Sequence, residues 1–452
     1  MKKALQLISC GSLAACLALS VRAAGNDKST SRADEVIRSY ELPPFSLTEF
    51  GYSLQELQEA APFGLTSFDR PAIGSGLAHV QGNWFFGITD RGPNLDHFLV
   101  DQNCVPSGSS NGKTYPLPQF TPAIVLFQAI GGELAPQVVV NLITPEGQPI
   151  TGLSNLPGDD NPFDDPCSNS PIPFNPNGMD VEDIGLLPGN RFISVEENRP
   201  SIFIGDLTTG VVEKRFIPEN QGLPGAGYEI SATLPEVLKN RRNNRGFESI
   251  AVSGDYLTAY TATQSPLGST SSGSPYRNSR VLRILRLDVS DPGNLMVTGQ
   301  FVFIMSDRTV YPSSINQRDL KLSAMSWVGP DKLLLLERSD ESGRGGVRLI
   351  LADLAAATNV HGLPLADTLS LEDVNEGPDF NNVTPVSTTV VFEEFETDLN
   401  RQFWTYKIEG MAILNANQVA LTNDNDFGVV GDPDAPTNLW ILQLKNQLPL
   451  GK

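Results

Sequence analysis

Histidine is scarce in this chain: His79, His97 and His361 are the only three among 452 residues. No two of them have the spacing of a zinc pair. The single GxSxG spelling, GSSNG (108–112), lies in a Cys/Pro-rich loop without a strand-to-helix context, which argues against a hydrolase built on a nucleophile elbow. Positive charge is also short, with 32 Lys and Arg against 52 Asp and Glu and a net charge of −20. That balance disfavours non-specific nucleic-acid binding, which needs clustered cations, and suits a protein that collects cations. Cysteine is limited to four residues. Past the N-terminus no apolar run is long enough to cross a bilayer. Gly (40) and Pro (34) are abundant, so many turns and few long helices are expected.

The first 23 residues combine Lys2 and Lys3 with an apolar run and the small-residue site Val21-Arg22-Ala23, the anatomy of a secretory signal peptide. Leu13-Ala14-Ala15-Cys16 offers a second reading, a lipobox that would acylate Cys16. The apolar run continues past Cys16, which favours free export to a periplasmic or extracellular location. Cleavage removes three positive charges and takes the net charge from −20 to −23. Cys10 and Cys16 belong to this segment, so Cys104 and Cys167 remain, and an oxidising compartment predicts a disulfide between them. Residues 24–36 read as a flexible polar leader, and 37–447 as a single domain.

Within that domain one pattern recurs: GLAHVQGNWFFGITDRG (76–92), DIGLLPGNRFISVEENR (183–199), SIAVSGDYLTAYTATQS (249–265), AMSWVGPDKLLLLERSD (324–340) and GMAILNANQVALTNDND (410–426). Each copy is a short apolar strand, a turn, a second strand and a polar or acidic end. Two further strands follow most copies, giving units of about four antiparallel strands. The expected fold is therefore all-β: a β-propeller of five or six four-stranded blades with long loop insertions, closed by the N-terminal strand EVIRSYEL (35–42). A large sandwich and a β-helix are the competing architectures. SATLPEVLKNRR (231–242) is the best short helix candidate.

The repeat aligns a set of acids. Ser75, Glu182, Glu248, Ser323 and Glu409 precede the first strands. Asp90, Glu196 with Glu197, Thr263, Glu337, and Asp424 with Asp426 end the second strands. If the last hairpin turns near Ala416 and Asn417, Glu409 and Asp424 face each other, a repulsive arrangement that calls for a cation, a proton or an Arg. In a propeller these positions converge on one mouth of the channel. Carboxylates so gathered suit Ca²⁺, which takes six to eight oxygens in flexible geometry. Arg91, Arg199, Arg245, Arg338 and Lys407 sit among the acids and would pair with them or grip phosphate. The plainer reading is that such acids cap strands or form structural ion pairs. His97 follows TDRGPN (89–94) and would reach this mouth. SGSSNGKT (107–114) has Ser107 where a P-loop needs Gly and reads as a loop. DDNPFDDP (159–166) reads as a solvated acidic insertion.

TDRGPN, NGMDVEDIGLLPGNRFISVEENRPSIF, RGFESIAVSGDYLTAYTATQSPL, LLLLERSD and KIEGMAILNANQVALTNDNDFG resemble the phytase-like "esterase-like activity of phytase" family, over about Pro62 to Leu444. The resemblance implies a secreted phosphoesterase and carries Asp90, Arg91, Asp180, Glu182, Asp183, Glu196, Glu197, Arg199, Glu248, Glu337, Arg338, Glu409, Asp424 and Asp426 as site positions. On this reading Glu182, Glu196, Glu248, Glu409, Arg91, Arg199 and Arg338 are catalytic. Asp90, Asp180, Glu182, Asp183, Glu197, Glu248, Glu337, Glu409, Asp424 and Asp426 hold Ca²⁺. The substrate is a small-molecule phosphate ester and the protein is a monomer without a membrane span. Thr263 and Ser323 interrupt the acidic ring, so a lopsided site is expected. The alternatives are a non-catalytic, Ca²⁺-stabilised propeller that binds a ligand or envelope partner, and a lactonase-like hydrolase.

Overall fold

The computed structural model describes residues 34–312 and 315–451, so the signal peptide, Cys16 and most of the polar leader lie outside the described residues. Among the described residues the chain is all-β, and its strands follow the repeats. It opens on β1 (Glu35–Glu41). A first unit comprises β2 (Gly76–Gln81) and β3 (Trp84–Ile88), an excursion through β4 (Leu95–Val100) and β5 (Pro106–Thr114), then β6 (Ala123–Ile130) and β7 (Glu133–Asn141). After β8 (Asn161–Phe163) comes a second unit: β9 (Val181–Leu187), β10 (Arg191–Glu196), β11 (Ser201–Asp206), β12 (Val212–Pro218) and an added parallel strand, β13 (Glu229–Leu234). The third is β14 (Phe247–Val252), β15 (Thr258–Thr263), β16 (Val281–Asp288) and β17 (Met296–Ile304). The fourth is β18 (Lys321–Gly329), β19 (Lys332–Ser339), β20 (Gly346–Asp353) and β21 (Ser387–Phe395). The fifth has β22 (Ile408–Asn415), β23 (Gln418–Asn423) and β24 (Asn438–Gln443); β1 pairs antiparallel with β24 and, at Glu41, parallel with β7, which joins the first and fifth units in one eight-stranded sheet.

Short apolar runs bounded by turn residues explain these meanders. The hairpins between first and second strands turn through left-handed residues at Gly82, Asn190, Tyr256 and Asp331. The first strands neighbour one another in the order β2, β9, β14, β18, β22 and back to β2. Apolar side chains fill each seam. Phe86, Ile124, Val181 and Ile184 pack between the first and second units, and Phe403, Met411, Leu421 and Leu336 between the fourth and fifth. The cluster of Leu77, Phe85, Ala420 and Leu439 joins the fifth unit back to the first. Each such aromatic or aliphatic side chain contributes roughly 1.5–3 kcal/mol of burial, so the seams rather than the hairpins hold the units together.

The segment expected as a helix, 231–242, is β13 followed by a 3₁₀ turn over Glu236–Asn240, since Pro235 interrupts it. Among the described residues the longest helix is Leu54–Ala60, which starts on a capping box of Ser53 and Glu56. β4, β5 and β8 form a small separate sheet. A Cys104–Cys167 disulfide ties the β4–β5 turn to the chain after β8. Cross-linking residues 63 apart restricts the unfolded chain by up to about 4 kcal/mol. Cys104→Ser with Cys167→Ser is expected to lower unfolding free energy by about 2–4 kcal/mol, measured by urea denaturation; equal stability would show that this sheet melts independently.

Candidate functional site

The bonding register explains how the aligned acids reach one place. In the second unit Glu196 pairs with Val181 and Ser194 with Ile184, so β9 carries one extra residue at Glu182–Asp183. The same one-residue bulge falls at Glu248 in β14, Ser323 in β18 and Glu409 in β22. A β-bulge bends its strand and re-aims a side chain. Four of the five positions that open the repeats are therefore bulge residues, and Ser75 precedes β2 without one. The last hairpin differs in detail from expectation: Ile408 pairs with Asn423, and Glu409 is the extra residue beside Asp424 rather than its direct partner.

The bulges at Glu182, Glu248 and Glu409 open onto a polar cavity of about 300 Å³. Asp90, Asp180, Glu182, Glu197, Glu248, Glu409, Asp424 and Asp426 line it, with Arg91, Lys113, Arg245, Lys321 and Lys407. The other ends of the first strands line a larger cavity of about 920 Å³ that is mostly apolar, with Leu77, Ile250, Met325, Trp327 and Met411. Acids thus gather at one end only. Close backbone packing shapes the wall. A Cβ on Gly246 would stand 2.0 Å from the Glu197 carbonyl oxygen, and one on Gly152 1.8 Å from that of Arg91.

Within the cavity Asp180, Glu182 and Glu197 each offer an oxygen, all within 4.8 Å of one another and all buried. Among the described residues Glu197 Oε1 and Glu248 Oε2 have no hydrogen-bond partner. Asp180 Oδ2 lies 3.0 Å from Arg91 Nη2 but out of line with its N–H. Burial, reinforced by mutual repulsion, pushes the Glu182 and Glu197 carboxyls well above their usual range. Burial and the charges of Asp424 and Asp180 do the same to Asp90. Burial raises Asp180 and Glu248 against the opposing pull of Arg91 and Arg338 respectively. Glu409 is pushed up to about 8, chiefly by burial, despite Lys407 and Arg338. Burial also works against the Asp424 carboxylate, but Lys407, 2.5 Å away, overcomes it and holds Asp424 below its usual range. Of this pair, Glu409 is thus the carboxyl that holds its proton more tightly, and Asp424 the one kept ionised by Lys407.

Several expected site residues lie outside this cavity. Glu196 faces the other way and meets Arg215 Nη2 at 3.0 Å, accepting from the Arg199 (2.7 Å) and Asp180 (3.2 Å) amides. Asp183 accepts from the Ile184 and Ile250 amides and bridges β9 to β14. Glu337 accepts from the Ser306 amide and Tyr311 hydroxyl. Arg199 pairs with Asp159 at 2.9 Å. Arg338 lies behind the wall, bonded to Glu409, to Asp340 at 2.7 Å and to Ser323 Oγ at 2.5 Å. His97 does not reach the cavity; it stacks on Phe163 at 3.6 Å and bonds Thr114 Oγ1. Asp159 of the acidic insertion is buried between Arg199 and Arg241 rather than solvated.

Lys113, Lys321, Asn94, Asn243, Asn244 and Gln264 line the cavity without having been singled out. Lys113 stands in SGSSNGKT, which is strand β5 and not a loop. RRNNR (241–245), a dense polar run just before a first strand, was the available signal for the two asparagines.

Strands wound around a cavity that holds eight carboxylates and five cations define an all-β protein with a charged site at one end of its channel. The chain belongs to the Phytase-like family, described as "esterase-like activity of phytase", whose sequence model matches residues 73–427. No curated protein matches the sequence. Among solved structures the chain is similar to a luciferin-regenerating enzyme (9 % identity, 85 % of this chain and 96 % of that one, TM-score 0.34). It is also similar to the PQQ-bound aldose sugar dehydrogenase of Streptomyces coelicolor (8 %, 91 % and 98 %, 0.36) and the Dos1 propeller (11 %, 82 % and 78 %, 0.28). These likenesses are too distant to carry the fold or the chemistry, which rest on the sheet topology and the cavity.

Proposed function

We propose that the chain is an exported, Ca²⁺-dependent phosphoric ester hydrolase, built as a five-bladed propeller whose last blade is completed by β1. The observation that carries this reading is the trio Asp180, Glu182 and Glu197, with oxygens within 4.8 Å and unpartnered buried oxygens on Glu197 and neighbouring Glu248. Hydrogen bonding leaves that charge unanswered, and a hard divalent cation answers it. Asp180, Glu182 and Glu197 would hold the ion, with Glu248 at its edge. A bound cation of this kind polarises an ester oxygen and lowers the pKa of a bound water.

The remaining roles belong to the chain itself. Glu409, which holds its proton more tightly, stands beside ionised Asp424, a division that suits a general acid and a base. Lys407 holds Asp424 and Asp426 and fixes which carboxyl keeps the proton. Arg91, tied to Asp180 and Asn244, orients a ligand carboxylate. Export to an oxidising compartment agrees with the Cys104–Cys167 bridge.

The purified protein is expected to hydrolyse phosphomonoesters or phosphodiesters, and EDTA should abolish turnover until Ca²⁺ is restored. Loss of thermal stability in EDTA without turnover on phosphate esters or lactones would instead indicate a binding propeller. Lactone turnover alone would move the chemistry to a different ester.

A further inference from the structure

The cavity is not evenly acidic. The first, second and fifth units supply seven of its eight carboxylates, the third only Glu248 and the fourth none. Thr263 and Ser323 stand at the acidic positions of these two units. Thr263 Oγ1 donates to the Ser265 carbonyl, and Ser323 accepts from Arg338. On this same side stand two cations, Arg245 two residues before β14 and Lys321 at the start of β18, with Asn243, Asn244 and Gln264.

The cations of the cavity differ in how they are neutralised. Arg91, Lys113 and Lys407 each have a carboxylate within 3.0 Å. Among the described residues Arg245 has none within ion-pair distance; its Nη1 donates to Ser265 Oγ at 2.9 Å and the Arg318 carbonyl at 3.3 Å. Lys321 has only Asp340 at 3.3 Å, and Arg338 holds that carboxylate more closely, at 2.7 Å. Arg245, Lys321 and Arg338 also lie within one another's fields. These three cations repel one another against the pull of Asp340, Glu197, Glu248 and Glu409, and an anion held at Arg245 and Lys321 relieves that repulsion.

We propose that Arg245 and Lys321, flanked by Asn243 and Gln264, form the clamp for the anionic group of the substrate, in place of Arg199 and Arg338, which are spent on internal partners. The ligand class is a phosphate-bearing small molecule, because a guanidinium fork beside a compact ammonium suits tetrahedral oxyanions. The assignment rests on the hydrolase reading for the ester that is turned over, but anion capture itself does not depend on turnover.

Inorganic phosphate is the probe. Calorimetric titration of the full chain with saturating Ca²⁺ is expected to show binding, weakened at least about tenfold by Arg245→Gln or Lys321→Met, the loss of one charge-assisted contact. Lys321→Arg should stay within a few-fold of the parent. Folding of each variant is read from its melting curve without phosphate. Lys321→Met removes a repelled charge and should leave that curve close to the parent. Where turnover is present, the same variants raise KM for phosphate esters more than they lower kcat. The clamp is overturned if both variants bind phosphate as the parent does, or if the parent binds none at millimolar phosphate. Phosphate capture that needs both residues, without turnover of any ester, keeps the clamp and removes the hydrolase.

Discussion

Between about pH 4.5 and pH 8 the metal-free protein should lose several kcal/mol of stability as the pH rises, and saturating Ca²⁺ should restore much of it. The sign follows from the direction of the shifts. Burial raises Glu409 to about 8, and burial with mutual repulsion raises Asp90, Glu182 and Glu197 well above the ordinary range. In this window the folded chain keeps protons that the unfolded chain has released, so unfolding becomes easier as pH climbs through each raised pKa. One unit corresponds to about 1.4 kcal/mol, so Glu409 alone contributes on the order of 4–5 kcal/mol. Asp424, held below its ordinary value, acts in the other direction. Its stabilisation is complete above the ordinary carboxyl range and is lost only at more acidic pH, outside this window. A cation bound to the folded chain at a hundred times its dissociation constant returns about 2.7 kcal/mol. Urea unfolding of EDTA-treated protein at pH 5 and pH 8, with and without Ca²⁺, measures both effects. A pH-independent unfolding energy would mean that these carboxylates are ionised and paired in some other way.

The units and their ends were legible in the sequence because turn residues and alternating apolar runs repeat. Positions 182, 248, 323 and 409 could be aligned without knowing that each is a bulge. What the alignment left open is the facing of neighbours. Glu196 and Glu197 are adjacent acids at the end of β10, and successive residues of a strand point to opposite faces. Only the pairing register decides that Glu197 enters the cavity while Glu196 turns to Arg215. Glu337 was indistinguishable from its repeat counterparts, yet Ser306 and Tyr311, from the loop between the third and fourth units, claim its carboxylate. Lys113 and Lys321 carry no periodic signal. Lys113 arrives on an excursion between β3 and β6, and long-range placement of that kind leaves no local mark. The weak acidity of the third and fourth units was visible in Thr263 and Ser323, but the cations that take up that side were not.

Replacing Glu196 and replacing Glu197 should therefore have opposite consequences, although the two are neighbours. Arg215 is fully buried, donating to Ser201 Oγ at 2.8 Å and to the Gly178 carbonyl and Tyr228 hydroxyl at 3.1 Å, with Glu196 as its counter-charge. Glu196→Ala leaves that guanidinium uncompensated and strips the Arg199 and Asp180 amides of their acceptor. Breaking a buried pair by removing one partner costs about 3–5 kcal/mol, enough to lower the midpoint of unfolding severely. Ca²⁺ should still raise the stability of whatever remains folded. Glu197→Gln removes a carboxylate whose neighbours Glu248 and Asp180 repel it, so the metal-free protein should be as stable as the parent or more so. Its response to Ca²⁺ should vanish, and turnover should fall at least about 100-fold, since even outer partners of metal ligands are worth 10–100-fold. Parallel melting curves and assays of the two variants test the assignment directly. If Glu196→Ala were stable but inactive while Glu197→Gln kept its Ca²⁺ response, the functional face of β10 would be the one that meets Arg215, and the cavity would be a structural ion-pair network.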